Sequence, residues 1–173
     1  MSRYRLGLIF VLVVCTAAQA FGHGFLFSGQ GSYYQTVIPE QWVYQTHQSD
    51  SHLVVFYGPG ESDLLYFERL EYIQDTDSRS FAERTLRLYE SPGGLRGFQI
   101  EQPITEIVID GIMGASSVYS YLVDAKTRQW EYKVFIVLEN EQGFVITLSD
   151  NEDSFEASCA VFKTVISNWR WSL

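Results

Sequence analysis

Hydrophobic residues in most of the chain alternate with polar ones or form short runs, as in β-strands. The alternation is clearest in residues 129–138, where every second residue from Trp130 to Leu138 is apolar. A period of two places these side chains on one face of a sheet. Residues 139–143 have the composition of a turn, which predicts an antiparallel hairpin with the next strand, residues 144–148. Other strands are predicted at residues 33–38, 53–57, 64–73, 104–109 and 117–123, the second and third of these forming a hairpin around Gly58-Pro59-Gly60.

Two segments have helical spacing instead. Ser80 and Glu83 fit a capping box, which predicts a helix start, and Ser91-Pro92-Gly93-Gly94 predicts its end. Ser149 and Glu152 fit a second capping box. The apolar stripe of this second helix, which should lie against the sheet, consists of Phe155, Cys159, Phe162, Ile166 and Trp169.

The order of these elements defines the expected fold. Strands, a helix, a run of strands and a final helix are an α+β order, with an antiparallel sheet of about six strands and two helices packed on it. No repeat, low-complexity tract or long linker divides residues 32–173, so we expect a single domain. Residues 21–31 contain four glycines and are predicted to form a flexible N-terminal arm.

The first 20 residues have the pattern of a cleavable signal peptide. Arg3 and Arg5 precede an apolar run that is too short for a membrane-spanning helix, and Ala18-Gln19-Ala20 fits the signal-peptidase pattern. We therefore expect an exported protein, periplasmic or secreted, that begins at Phe21 and has no transmembrane span after cleavage. An alternative is lipidation at Cys15, which would anchor the protein to a membrane.

Charge and cysteine content restrict the function and the source of stability. The chain has 12 basic and 21 acidic residues, a net charge of −9, and loss of the leader removes two of the basic residues. Such a domain repels nucleic acid, so we expect no nucleic-acid partner. After cleavage Cys159 is the one remaining cysteine, so stability must come from the core, and we expect Cys159 to be a buried apolar residue.

Three stretches resemble the PsbP-like family, which shares its fold with the Mog-type Ran-binding proteins and includes the DcrB-like envelope proteins. Residues 34–42 are a strand that runs into Pro-x-x-Trp, and residues 54–59 are an apolar run that ends in Gly-Pro. Residues 150–171 are an acidic cap and a Phe-rich terminal helix. The resemblance implies a Mog/PsbP-like fold and an accessory or binding protein without catalytic activity, and it transfers no site residue.

Motifs for catalysis and nucleotide binding do not stand out. There is no Gly-x-Ser-x-Gly; residues 111–116 are better explained as a bend between strands. Gly29-Gln30-Gly31 and Gly58-Pro59-Gly60 lack the lysine and helix of a phosphate loop. We therefore expect no enzyme, no catalytic residue and no cofactor.

The candidate metal ligands are few. His47, Asp50 and His52 form the one cluster of transition-metal ligands, and His23 is a fourth candidate. Cleavage after Gly22 instead of Ala20 would make His23 the N-terminal residue, which can chelate copper through its amine and ring. A polar surface loop explains the cluster better, so we expect no metal site and no tight copper binding, and helix capping explains the calcium candidates Asp150, Glu152 and Asp153.

The leading functional hypothesis is therefore a non-catalytic exported protein that binds a protein or small ligand in a groove between sheet and helix. Its 11 Tyr and four Trp favour such an interface, since these side chains combine an apolar body with a polar tip. The alternatives are a metal-binding or metal-delivery protein that uses the loop of residues 47–52 (the histidine loop), and a hydrolase without a recognisable motif.

Overall fold

The structure is a computed structural model that describes residues 24–172 except 30, 32 and 140. This part of the chain forms ten strands and two helices. The strands are β1 (Gly24–Ser28), β2 (Tyr34–Pro39), β3 (Val43–Tyr44), β4 (Leu53–Tyr57), β5 (Leu64–Leu70), β6 (Gln99–Ile109), β7 (Ile112–Leu122), β8 (Arg128–Leu138), β9 (Gln142–Asn151) and β10 (Arg170–Trp171). The helices are α1 (Ser78–Glu90) and α2 (Phe155–Ser167).

The strands form two antiparallel sheets. The larger sheet has seven strands in the order β3-β4-β5-β9-β8-β7-β6, and the smaller has three in the order β1-β2-β10. Both predicted hairpins, β4–β5 and β8–β9, are confirmed by their pairing. The expected single sheet of about six strands is thus a seven-stranded sheet with a small second sheet, because β1, β3 and β10 carry too few alternating residues to be recognised.

Alternation along β8 places its two sets of side chains on opposite faces of the large sheet. Val134 and Ile136 belong to the main core, which also includes Phe162 of α2 and residues of β2. Phe135 belongs to a second core with Phe81 of α1. Because the two helices lie on different faces, β8 is buried on both sides, and the sheet forms the central layer.

The main core is aromatic. Trp169 is fully buried and stacks on Tyr34, with ring centroids 4.3 Å apart and planes inclined by 11°. The edge of the Phe67 ring meets the Trp169 ring at 5.0 Å. These contacts join β2, β5 and the segment after α2, so the small sheet and the end of the chain pack together on the large sheet.

Both predicted helix starts were wrong by a few residues. Helix α1 begins at Ser78, and the Asp77 carboxylate caps it by accepting a 2.8 Å hydrogen bond from the Ser80 amide. Ser149 is not a cap, because it pairs with Glu131 in the sheet, and α2 begins only after Ser154. The capping boxes found in the sequence therefore marked the right regions and the wrong residues.

Residues 24–28 of the predicted flexible arm form strand β1, which pairs with β2 from Gly24↔Pro39 to Ser28↔Gln35. Phe27 explains this difference, since its ring meets the edge of the Phe56 ring at 4.9 Å and so ties the arm to the core. The predicted signal peptide, the cleavage site, Cys15 and His23 lie outside the described residues. Within those residues, no helix is long and apolar enough to cross a membrane.

Candidate binding groove

A groove runs between α2 and the outer strands of the large sheet. Helix α2 packs against β9 and β2, whereas β7 and β6 extend beyond it. The space that remains has a volume of about 940 Å³. This is near the upper end of the range of roughly 300–1,000 Å³ that ligand pockets occupy.

The floor of the groove is apolar and aromatic. Val118 on β7 is opposite Tyr132 on β8, and Trp130 follows two residues away on the same face. The Trp130 ring lies 5.4 Å from that of Phe155, and the Tyr132 ring lies 4.9 Å from that of Phe162. Packing against α2 therefore fixes both aromatic rings in place.

Trp130 also has an unused polar group. Its indole Nε1–H is buried and donates to no acceptor of the described residues. A buried donor without a partner costs roughly 1–3 kcal/mol. Because this atom is closed to solvent, it is not open to a ligand in the groove. The polar side chains that line the groove are instead Gln102, Tyr132 and Lys163 among others.

Helix α2 forms one wall of the groove. Glu156, Cys159 and Lys163 line it at spacings of three and four residues, so they occupy one helix face. The wall bears one negative and one positive charge. Burial raises the pKa of the Cys159 thiol; nearby Lys163 opposes that shift. Cys159 is half-buried, not fully buried as the sequence predicted, because α2 turns this part of its stripe towards the groove.

A second polar cluster lies on the opposite face of the sheet, beneath α1. Lys133 and Glu131 are both buried, and Lys133 Nζ is 3.4 Å from Glu131 Oε2. The hydroxyls of Tyr66, Tyr119 and Tyr121 donate to the Glu131 carboxylate. Ring centroids surround Lys133 Nζ at 5.4 Å (Tyr66), 5.4 Å (Tyr89) and 5.8 Å (Tyr119).

The charges in this cluster stabilise one another. Burial alone lowers the pKa of Lys133, but the Glu131 carboxylate raises it, and the pKa lies well above its ordinary value. Burial and then Glu131 raise the pKa of Tyr119, so its hydroxyl remains a donor. Tyr89 belongs to α1 and accepts a 3.2 Å hydrogen bond from Lys133 Nζ. The cluster therefore anchors α1 to the sheet.

The histidine loop adopts a local turn. The Asp50 carboxylate accepts hydrogen bonds from the backbone amides of His52 (2.7 Å) and Leu53 (2.8 Å). These bonds lower the pKa of Asp50. In the described part of the chain, no three His, Cys, Asp or Glu side chains converge in a way that would hold a metal ion. His47 and His52 lie in this exposed loop. The expectation that they hold no metal remains a prediction.

One contact in this loop resembles a hydrolase arrangement. Ser51 Oγ lies 2.9 Å from His52 Nδ1, and His52 Nε2 lies 3.5 Å from Glu71 Oε1. The adjoining cavity, between this loop and Arg69, has a volume of about 10 Å³. That is about the size of one water molecule, and the His52 and Glu71 side chains are themselves 51% and 42% exposed, so this cavity does not form a substrate pocket around the contact.

The calcium candidates differ in burial. Asp150 is fully buried beside the start of α2 and accepts hydrogen bonds from the hydroxyls of Ser62 (2.7 Å), Ser154 (2.8 Å) and Ser158 (2.7 Å). Burial raises the pKa of Asp150, but these hydrogen bonds outweigh it and the pKa lies below its ordinary value. Glu152 and Asp153 are exposed.

The groove residues were not identified from the sequence, although a groove between sheet and helix was expected. Trp130 and Tyr132 share a face of β8, and Cys159 and Lys163 share a face of α2. The periodicities of strand and helix give these two sets separately. The sequence does not show that α2 packs over β9 and does not cover β7. This position leaves both sets of side chains exposed to the groove.

Comparison with known proteins identifies the class of fold. No protein-family profile matches the sequence, and no curated protein sequence is similar to it. Solved structures do match. Cyanobacterial PsbP (CyanoP) from Synechocystis sp. PCC 6803 is 16% identical, with a TM-score of 0.64 over 89% of this chain and 95% of that one.

Two other solved structures match over similar lengths. The Saccharomyces cerevisiae Ran-binding protein Mog1p is 12% identical, with a TM-score of 0.60 over 87% of this chain and 96% of that one. LpqN, involved in cell envelope biogenesis of Mycobacterium tuberculosis, is 11% identical, with a TM-score of 0.54 over 88% and 86%. The chain therefore has the Mog/PsbP-like α+β fold, as its resemblance to that family implied.

Proposed function

We propose that this protein is a non-catalytic binding protein of the cell envelope, which is exported by its N-terminal signal peptide and binds a protein partner in the groove between α2 and the sheet. The observation that carries this proposal is the groove itself, with its aromatic floor of Trp130 and Tyr132. Aromatic residues with a polar tip are favoured at protein interfaces.

The solved structures of the same fold give additional support. One is a Ran-binding protein and another is involved in cell envelope biogenesis. These functions belong to those proteins, and a fold hosts many functions. They nevertheless favour binding over catalysis as the general style of function for this chain.

Site-specific photo-crosslinking tests the proposal in the cell. A photoreactive benzophenone amino acid replaces Lys163 on the groove wall, and a matched variant carries it at Leu88, an exposed position on α1. We expect a covalent adduct of defined mass from position 163 and none from position 88. Equal adducts from both positions, or none from position 163, would contradict the proposal.

Hydrolysis is the second candidate, and the Ser51–His52–Glu71 contact is the one observation in its favour. The test is hydrolysis of p-nitrophenyl acetate by the purified protein and by its Ser51→Ala variant. We expect equal background rates, because the contact is exposed and its adjoining cavity holds only about one water molecule, so nothing in it positions the ester. A loss of tenfold or more in Ser51→Ala would make this protein an enzyme.

A further inference from the structure

Strand β6 forms one edge of the seven-stranded sheet, and in the described part of the chain no strand pairs with its outer side. It is 11 residues long, and all but one of its residues are exposed or partly exposed. Long exposed edge strands offer unpaired backbone groups to other chains, and proteins usually shorten or shield them.

The two-residue turn between β6 and β7 determines which backbone groups are free. Asp110 (φ 48°) and Gly111 (φ 85°) both have positive φ, the signature of a type I′ hairpin turn. Ile109 and Ile112 flank the turn and form a hydrogen-bonded pair.

From that pair onwards, hydrogen-bonded and non-hydrogen-bonded pairs alternate along the ladder. Ile107↔Gly114 and Thr105↔Ser116 are therefore hydrogen-bonded pairs, and their register is regular. The residues between them have the opposite orientation. The N–H and C=O groups of Glu106 and Val108 thus point away from β7, towards the open edge.

The side chains beside these free groups are apolar and acidic. Val108 is 59% exposed and lies opposite Met113, which is 55% exposed. A depression of about 370 Å³ adjoins them between the start of α1 and the sheet, and it is lined by Met113, Val137, Glu106, Asp77 and Arg79 among others. An apolar side chain would fit against Met113, and a cation would pair with the Glu106 carboxylate, since Asp77 already caps α1.

We infer that the outer edge of β6 binds an extended segment of another protein as an eighth strand of the sheet. Main-chain hydrogen bonds form at Glu106 and Val108, a basic residue of the segment lies opposite Glu106, and an apolar one lies opposite Val108. This is β-augmentation, in which the backbone gives affinity and alternate side chains give specificity. It is independent of the groove on the other face.

The sequence of β6 argues against a second copy of this chain as the occupant. Its two charged residues, Glu101 and Glu106, are both acidic, and the whole chain has a net charge of −9. Pairing between copies would bring like charges together. For any occupant, regular pairing is confined to the five residues Thr105–Ile109, because Pro103 lacks an N–H and the register shifts on both sides of Gln102.

The first test uses a synthetic peptide with capped ends, Thr-Lys-Thr-Val-Thr-Lys-Thr-Val-Thr, and amide hydrogen exchange followed by NMR. In the free protein, the amides of Glu106 and Val108 should exchange fast and those of Ile107 and Ile109 slowly. At saturating peptide, exchange at Glu106 and Val108 should slow by at least tenfold. Slow exchange at both sites without peptide, or no protection at millimolar peptide, would overturn the inference.

Peptide backbone chemistry provides a matched control. Methylating the amide nitrogens of the Lys and Val residues, which face β6, should abolish binding in fluorescence anisotropy. Methylating the amide nitrogens of the Thr residues at peptide positions 3, 5 and 7, which point away from β6, should leave the affinity within threefold. Equal losses from the two peptides would show that binding is not strand addition.

Protein variants complete the test. Val108→Pro removes an outward N–H without touching the β6–β7 ladder, and should weaken peptide binding more than tenfold while its thermal transition stays cooperative. If Val108→Pro does not fold, the variant to test is Glu106→Lys. It should bind a peptide with Glu at positions 2 and 6 more tightly than the peptide with Lys there, the reverse of the wild-type preference. Unchanged preference would overturn the inference. So would concentration-dependent dimers that protect Glu106 and Val108 without peptide, since the occupant would then be a second copy.

Discussion

Replacing Lys133 by Met should destabilise the protein strongly, because it leaves the buried Glu131 carboxylate without its cation. The side chains of Lys133 and Glu131 are only 5% and 8% exposed. Loss of one partner from a buried pair costs about 3–5 kcal/mol. Three tyrosine hydroxyls still donate to Glu131 in the variant. We therefore expect the lower end of this range, about 3 kcal/mol.

Glu131→Gln should cost about as much as Lys133→Met. In that variant Lys133 keeps one hydrogen bond, to the Tyr89 hydroxyl, and the faces of three tyrosine rings, and the Glu68 carboxylate still favours its charge. The direct contact with Glu131 is lost, so we expect a loss of about 3 kcal/mol. The double variant should cost less than the sum of the two single variants, because it removes both charges and leaves neither buried without its partner.

Urea unfolding followed by tryptophan fluorescence and by far-UV circular dichroism measures these free energies of unfolding. Leu88→Met, at an exposed position of α1, is the control and should change stability by less than about 0.5 kcal/mol. A loss below about 1 kcal/mol in Lys133→Met would refute the reasoning. Strict additivity in the double variant would refute it as well, because the two charges would then not interact.

Three further predictions concern the core, the start of α2 and the mature N-terminus. Phe162→Ala should cost about 3–5 kcal/mol in urea unfolding, because Phe162 is 1% exposed and leaves a cavity; a loss under about 1 kcal/mol would mean that α2 does not close the main core. Asp150→Asn should cost about 1.5–3 kcal/mol at pH 7, since three hydroxyls and a backbone amide donate to this carboxylate. Because the pKa of Asp150 is lowered in the folded state, the wild-type protein has this stability above the ordinary Asp pKa of about 4 and loses it as the pH falls through the folded-state pKa. The variant should therefore lose less stability in acid. Parallel plots of stability against pH for the two proteins would contradict this role of Asp150. The intact mass of the exported protein should correspond to a chain that begins at Phe21, and a mass with acyl chains on Cys15 would identify a lipoprotein instead.

Local periodicity accounts for what the sequence predicted correctly. The three-and-four spacing in α2 arises because the helix buries one face, and the alternation in β8 separates the side chains that face the main core from those that face α1. Both patterns are visible within a dozen residues. The β4–β5 and β8–β9 hairpins follow from turns of suitable composition. The α+β order and the Mog/PsbP-like fold could therefore be predicted.

Long-range pairing accounts for what the sequence did not predict. Strand β1 is recognisable only from Phe27 against Phe56, a contact between residues far apart in the chain. Lys133 and Glu131 look like ordinary surface positions of a strand, and only the tyrosines from β5, β7 and α1 show that they are buried. The groove likewise depends on where α2 lies across the sheet, over β9 and not over β7, and no local sequence pattern encodes that position.

Thiol modification at Cys159 tests the central claim of a partner in the groove most directly. This half-buried side chain lines the groove wall. The rate of its reaction with a maleimide is measured in the purified protein and in intact envelopes, alongside a Cys159→Ser/Leu88→Cys variant that reports on exposure away from the groove. A bound partner predicts at least tenfold slower modification of Cys159 in the envelope, with the rate at position 88 unchanged. Equal rates at Cys159 in the two settings would contradict the proposal that the groove is a binding site.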